Sequence, residues 1–149
     1  MSSPHVTLHG VTKRFPARSG GSAVHALGPI DLEIRKGEFF AIVGPSGCGK
    51  STLLELIAGL VPVTDGRIEF EGRPIGQEIP DGIGVVFQED ACFPWLNVGE
   101  NVAFGLRKAA LAPDEQARRV HDAIAMMGLG EFARSYPAQL SGGMCQRVC

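Results

Sequence analysis

The sequence is short of the features that mark specialised chains, and each shortage narrows the field. Its four cysteines, Cys48, Cys92, Cys145 and Cys149, contain no C-x2-C pair, and no histidine or further cysteine completes a tetrahedral set around them. That argues against a structural zinc framework. The start, MSSPHVTLHG, lacks a charged segment followed by an apolar one, so a secretory leader and a disulfide scaffold are not expected. Cys145 and Cys149, spaced i,i+4, are expected to share a helix face as ordinary thiols. No stretch approaches the roughly 18 apolar residues that span a bilayer. Positive charge is not in excess either: 14 basic against 16 acidic residues give −2. This removes the electrostatic case for nucleic acid as a partner. A cytoplasmic protein with one sizeable core is the expectation. Aromatics are few, and Trp95 is the only tryptophan.

What is present alternates between strand and helix patterns. VTLHGVTKRF (6–15) is rich in β-branched residues and predicts a strand, followed by a Gly-rich turn over 17–22. IDLEI (30–34) places Ile30, Leu32 and Ile34 on one face, as in a half-buried antiparallel strand. EFFAIVG (38–44) and GIGVVFQ (82–88) are apolar without alternation and predict strands buried on both faces. STLLELIAGL (51–60) predicts a helix with Leu53, Leu54, Ile57 and Ala58 inward, stopped by Gly59 and Pro62. RIEFEG (67–72) alternates again. PDEQARRVHDAIAMMG (113–128) predicts the clearest helix, with Pro113 in its first turn and Gly128 at its stop. Its expected inward stripe is Ala117, Val120, Ile124 and Met127, with Arg118, Arg119, His121 and Asp122 toward water. These patterns together describe an α/β core, an antiparallel β layer from the N-terminal part, and a helical segment after residue 97.

Between the first apolar run and the first helix lies GPSGCGKST (44–52). It fits G-x-x-x-x-G-K-[ST], with Gly44, Gly49, Lys50 and Ser51 at the fixed places and Pro45, Ser46, Gly47, Cys48 and Thr52 around them. Glycines let the backbone turn its N–H groups toward phosphate oxygens, and the helix that follows adds the positive end of its dipole. In such a loop the lysine reaches the β- and γ-phosphates of ATP and the serine hydroxyl ligates Mg²⁺. The pattern alone does not separate a kinase, a GTPase and a transport ATPase; a GTPase would need N-K-x-D, which is absent.

Two later motifs separate them. FQED (87–90) follows the second apolar run, and LSGGM (140–144) follows the long helix. With these in order, the chain resembles the ATP-binding subunit of ATP-binding-cassette (ABC) transporters over essentially its whole length. The implied fold is a partial P-loop ABC nucleotide-binding domain with an N-terminal antiparallel β layer and a helical subdomain. Residues 1–88 would form the β layer and phosphate-loop core, and 89–149 the helical part with the signature. EDACFPWLNVGENVAFGL (89–106), through Pro94, Trp95, Asn97, Val98, Glu100, Asn101 and Val102, is similar to importers of the nitrate, sulfonate and taurine group. So is LSGGM followed by Gln146 and Arg147.

The resemblance implies roles. Gln88 would serve the Mg²⁺ shell or the attacking water, and Phe15 would stack on adenine with Val24 beside it. A second ATP-binding subunit would pack head to tail, so that Leu140, Ser141, Gly142, Gly143, Met144 and Gln146 face the nucleotide of the other copy. Ser141 is expected to cap a helix there. The surface around Trp95 would receive a membrane permease, an external solute-binding protein would act indirectly, and the location would be peripheral, on the cytoplasmic face of the inner membrane. An Asp-Glu strand end and a later histidine, which the family uses for hydrolysis, are not found in the sequence. A nucleotide-binding fragment without turnover is therefore the alternative. A non-transport ABC ATPase is argued against by PWLNV and by the missing basic surface.

Overall fold

In this computed structural model the described residues are 4–17, 21–76, 79–88, 91–107 and 109–149. The expected turn at 17–22 thus lies partly outside them, as do Glu89 and Asp90 of the FQED motif. The chain forms two compact units, one ending at Val85 and the other running from Val86 to Cys149.

The first unit is built on two long strands. β1 (Pro4–Phe15) and β2 (Val24–Arg35) pair antiparallel from Pro4 opposite Arg35 to Phe15 opposite Val24. β3 (Asp65–Phe70) joins the other edge of β1, and the two-residue β4 (Arg73–Pro74) follows, giving the order β2-β1-β3-β4. Alternation does the folding: Val6, Leu8, Leu27 and Ile68 turn to one side and bury there, with Ile30, Leu32 and Ile34 packing against them as expected. α1 (Lys50–Ile57) covers this face with Leu53 and Leu56. Fully burying Leu8 or Leu56 in this way is worth about 1.5–3 kcal/mol each.

Three expectations need correction here. The inward face of α1 carries Leu56, while Leu54 is exposed. At 100° per residue, positions 53, 56 and 57 share a narrow arc and 54 falls outside it. Residues 38–44 and 82–88 form no strand: Phe39, Val43 and Val86 stand in solvent, 95%, 92% and 80% exposed. A run apolar on both faces is a strand only with neighbours to bond and layers to cover it, and the four-stranded sheet pairs with neither segment.

The second unit packs α2 (Val98–Phe104), α3 (Pro113–Met126) and α4 (Gly142–Val148), with 3-10 turns at Gly130–Phe132 and Pro137–Gln139. Val98, Ile124 and Leu129 form its centre, ringed by Val102, Val120, Leu140, Met144 and Val148. α3 begins at Pro113 and stops where Gly128 takes φ +66°, both as expected. Its stripe is shorter than expected, because Ala117 and Met127 are exposed and only its middle meets neighbours. Arg147 instead donates to the Met127 carbonyl at 2.7 Å, satisfying one of the helix's last acceptors. On the outer face Glu115 accepts from Arg119 at 2.7 Å and from Arg118 at 2.7 Å.

Candidate nucleotide-binding site

The phosphate loop enters α1 through Gly49, which sits at the helix start with φ +95°. A Cβ there would lie 2.7 Å from the Ala26 carbonyl oxygen and 2.9 Å from Leu27 Cδ1. The glycine is thus required twice, for its left-handed backbone and for the contact that seats the loop on β2. Lys50 follows, and its Nζ donates to the carbonyls of Gly44 at 2.8 Å and Pro45 at 2.7 Å, with Cys48 Sγ 3.7 Å away. The ammonium is therefore folded over the loop it would serve. Ser46, Gly47, Cys48 and Ser51 are exposed, and Thr52 is half-buried. The first turn of α1 has no acidic side chain, so nothing there opposes an anion at the positive end of the helix.

The seat on β2 also fixes what lies beside the loop. Val24 is two residues before Ala26, roughly 7 Å along the strand, and pairs with Phe15 at the connected end of the β1–β2 hairpin. Phe15 is 36% exposed and Val24 60%. Beneath them Lys13 lies 5.0 Å from the Phe15 ring centroid and donates to the Pro62 carbonyl at 2.6 Å. The two residues expected to flank adenine are thus at the end of the hairpin nearest the loop's seat. For Mg²⁺, no group of three or more acidic, histidine or cysteine side chains gathers among the described residues. The exposed Ser51 hydroxyl fits an ion that is held mainly by nucleotide phosphates and water.

In the second unit Gln88 is exposed. Trp95 is 70% exposed on a turn whose construction spacing did not reveal. Asn101 accepts from the Phe93 amide at 2.8 Å and donates to the carbonyls of Phe93, Leu96 and Asn97 at 3.2, 2.9 and 3.0 Å. Asn97 and Glu100 close a reciprocal cap at the start of α2. The only hint in the sequence was the N-x-x-E spacing of that cap. The Phe93 ring lies 5.5 Å from Trp95 and 4.4 Å from Phe104.

At the signature, Leu140 and Met144 pack into the unit's core while Gly142 and Gly143 are exposed at the start of α4. Ser141 occupies the cap position but makes no side-chain bond there; its carbonyl accepts from Met144 and Cys145 at 2.9 and 3.0 Å. The expected hydroxyl cap is thus replaced by backbone alone. A Cβ on either glycine would meet nothing within 4 Å. Gln146 is exposed. Cys145 is buried and Cys149 exposed, so the two do not share an environment as their spacing suggested.

A glycine-built phosphate loop seated on an antiparallel β layer, with a helical unit bearing LSGGM, defines a nucleotide-binding cassette. The profile described as "ABC transporter" matches residues 27–149, and the chain belongs to the ABC transporter family. It is 49% identical over 96% of its length to the bicarbonate transport ATP-binding protein CmpC of Synechococcus elongatus, covering 22% of that protein. It is 46% identical over 90% to the taurine import ATP-binding protein TauB of Rhizobium johnstonii, covering 51%. It is 47% identical over 96% to the spermidine/putrescine import ATP-binding protein PotA of Nitratidesulfovibrio vulgaris, covering 38%. The chain thus spans about half or less of the curated relatives it matches. Among solved structures, the dimeric post-hydrolysis cassette MJ0796 bound to ADP and Pi superimposes with a TM-score of 0.84 at 35% identity, over 96% of this chain and 66% of that one. The ABC cassette fold is therefore shown. A specific place in the nitrate, sulfonate and taurine group is not, since a polyamine importer subunit is as similar as the taurine one.

Proposed function

We propose that the chain is the ATP-binding, energy-coupling part of an ABC importer, driving uptake of a small solute by ATP hydrolysis. The observation that carries this reading is the phosphate loop, with Gly49 seated on β2 and Lys50 Nζ held within the bend. Bound MgATP would supply the cleavable phosphoanhydride. Around it Lys50 and the loop amides bind phosphate oxygens, Ser51 contributes a hydroxyl to the ion, and Phe15 with Val24 offers an apolar face to the base. Gln88 is assigned to the ion shell or the attacking water on its motif. A small anion such as nitrate, a sulfonate or taurine is the solute class we favour, on the strength of the PWLNV segment and the bicarbonate and taurine relatives.

In this reading two copies meet head to tail, with the exposed Ser141, Gly142, Gly143 and Gln146 of each facing the other's nucleotide while Leu140 and Met144 anchor that segment in its own core. Trp95 faces a permease, and an external solute-binding protein acts through it. The subunit then works at the cytoplasmic face of the inner membrane, in keeping with described helices of which none is long and apolar enough to cross a bilayer.

Substituting Lys50→Ala is expected to weaken ATP binding about ten- to a hundredfold by calorimetry. Unchanged affinity overturns the assignment. The lack, within these 149 residues, of an apolar strand ending in Asp-Glu favours a second reading, in which they bind nucleotide without turning it over. Phosphate release by the purified chain decides between them.

A further inference from the structure

Cys92 and Cys149 are 57 positions apart in sequence, yet their sulfurs lie 2.9 Å from each other within the second unit. That is less than 1 Å beyond a disulfide bond of about 2.04 Å. The pair is also oriented. Cys92 Sγ donates to the Cys145 carbonyl at 3.4 Å, which holds the half-buried thiol against the end of α4. Cys149 is exposed to reagents. The nearest competitor, Cys145, is buried and directs its Sγ to the Pro137 carbonyl at 3.5 Å.

We infer that Cys92 and Cys149 form a reversible thiol–disulfide site. Its chemistry needs a small-molecule disulfide, of which oxidised glutathione is the probe. The Cys149 thiolate attacks one glutathione sulfur, forming a mixed disulfide and releasing one reduced glutathione. Cys92, as thiolate, then attacks the Cys149 sulfur and releases the second. Two protein thiols are oxidised, one external disulfide is reduced to two thiols, and the protons lost by the protein are taken up by the departing thiolates. Transient bonds of this kind are the sort a reducing compartment tolerates. The link ties the segment leading to Trp95 to the far end of the helix that begins with Gly142 and Gly143.

The test incubates the full 149-residue chain in mainly oxidised glutathione, quenches free thiols and maps peptides without reduction. The expected product joins the peptide of Cys92 to that of Cys149, disappears on adding reduced glutathione, and survives Cys48→Ser and Cys145→Ser. Cys92→Ser should trap glutathione on Cys149. In the oxidised wild type, backbone exchange at 145–148 should slow by about tenfold or more, because the link to Cys92 restrains local opening of α4. A Cys92–Cys145 link, a link between chains, or stable glutathione on wild-type Cys149 overturns the assignment.

Discussion

Two helix starts in this molecule carry glycine, and they carry it for opposite reasons. At Gly49 the fold itself demands the residue: φ is +95° and the Ala26 carbonyl occupies the space a side chain would need. At Gly142 and Gly143 the surroundings demand nothing, because a Cβ on either would meet no atom within 4 Å. A glycine the fold needs is explained by the fold. A pair the fold does not need, on an exposed helix start, leaves room for close approach from outside, which is what a second nucleotide-bearing subunit would use.

The contrast is open to direct attack. Gly49→Ala should cost roughly 2–4 kcal/mol from the left-handed backbone and the clash with Ala26, seen as a lower midpoint in urea unfolding. A neutral result would mean that the loop is not seated on β2. Next in size, Asn101→Ala removes the four bonds that hold the Trp95 turn and should cost about 1–3 kcal/mol, with indole emission shifted to the red. An unchanged spectrum and stability would show that α2 alone holds the turn. Gly142→Ala and Gly143→Ala should raise stability by at most about 1 kcal/mol while weakening ATP-driven pairing of two copies in sedimentation. Lower stability together with intact pairing would erase the distinction between the two starts.

The smallest effect concerns pH. Hydrogen bonds from Arg119 and then Arg118 hold the Glu115 carboxyl below the ordinary glutamate range. Its folded value is depressed, so its support of α3 is complete above the unfolded value and fades as pH falls through the folded one. Acid titration of helix content should show a step below about pH 4.3 that Glu115→Gln removes. An identical titration in the variant would assign the step to other carboxylates.

Local pattern brings β1, the second half of β2, α3 and the phosphate-loop segment into view, because each is written in consecutive residues: alternation in Ile30, Leu32 and Ile34, Pro113 at a start, Gly128 at a stop, and a fixed spacing from Gly44 to Ser51. Features made by distant residues stayed hidden. Nothing in the spacing of Cys145 and Cys149 announces that the sulfur beside Cys149 is that of Cys92. The apolar runs at 38–44 and 82–88 look like strands in the sequence because hydropathy measures willingness to be buried, whereas a strand also needs a neighbour to bond. Leu54 looks inward by sequence because periodicity alone does not fix a helix's rotation, and the sheet beneath α1 decides which side is in.

Asn101 fastens the Phe93–Asn97 bend through an amide and main-chain atoms, while the exposed indole at its tip adds a ring contact with Phe93 and none of those hydrogen bonds. Shape and chemistry are consequently separable at this spot. The outermost side chain can be exchanged for another with little penalty to the architecture below it, so an evolving lineage could retune what this promontory attracts without rebuilding what supports it.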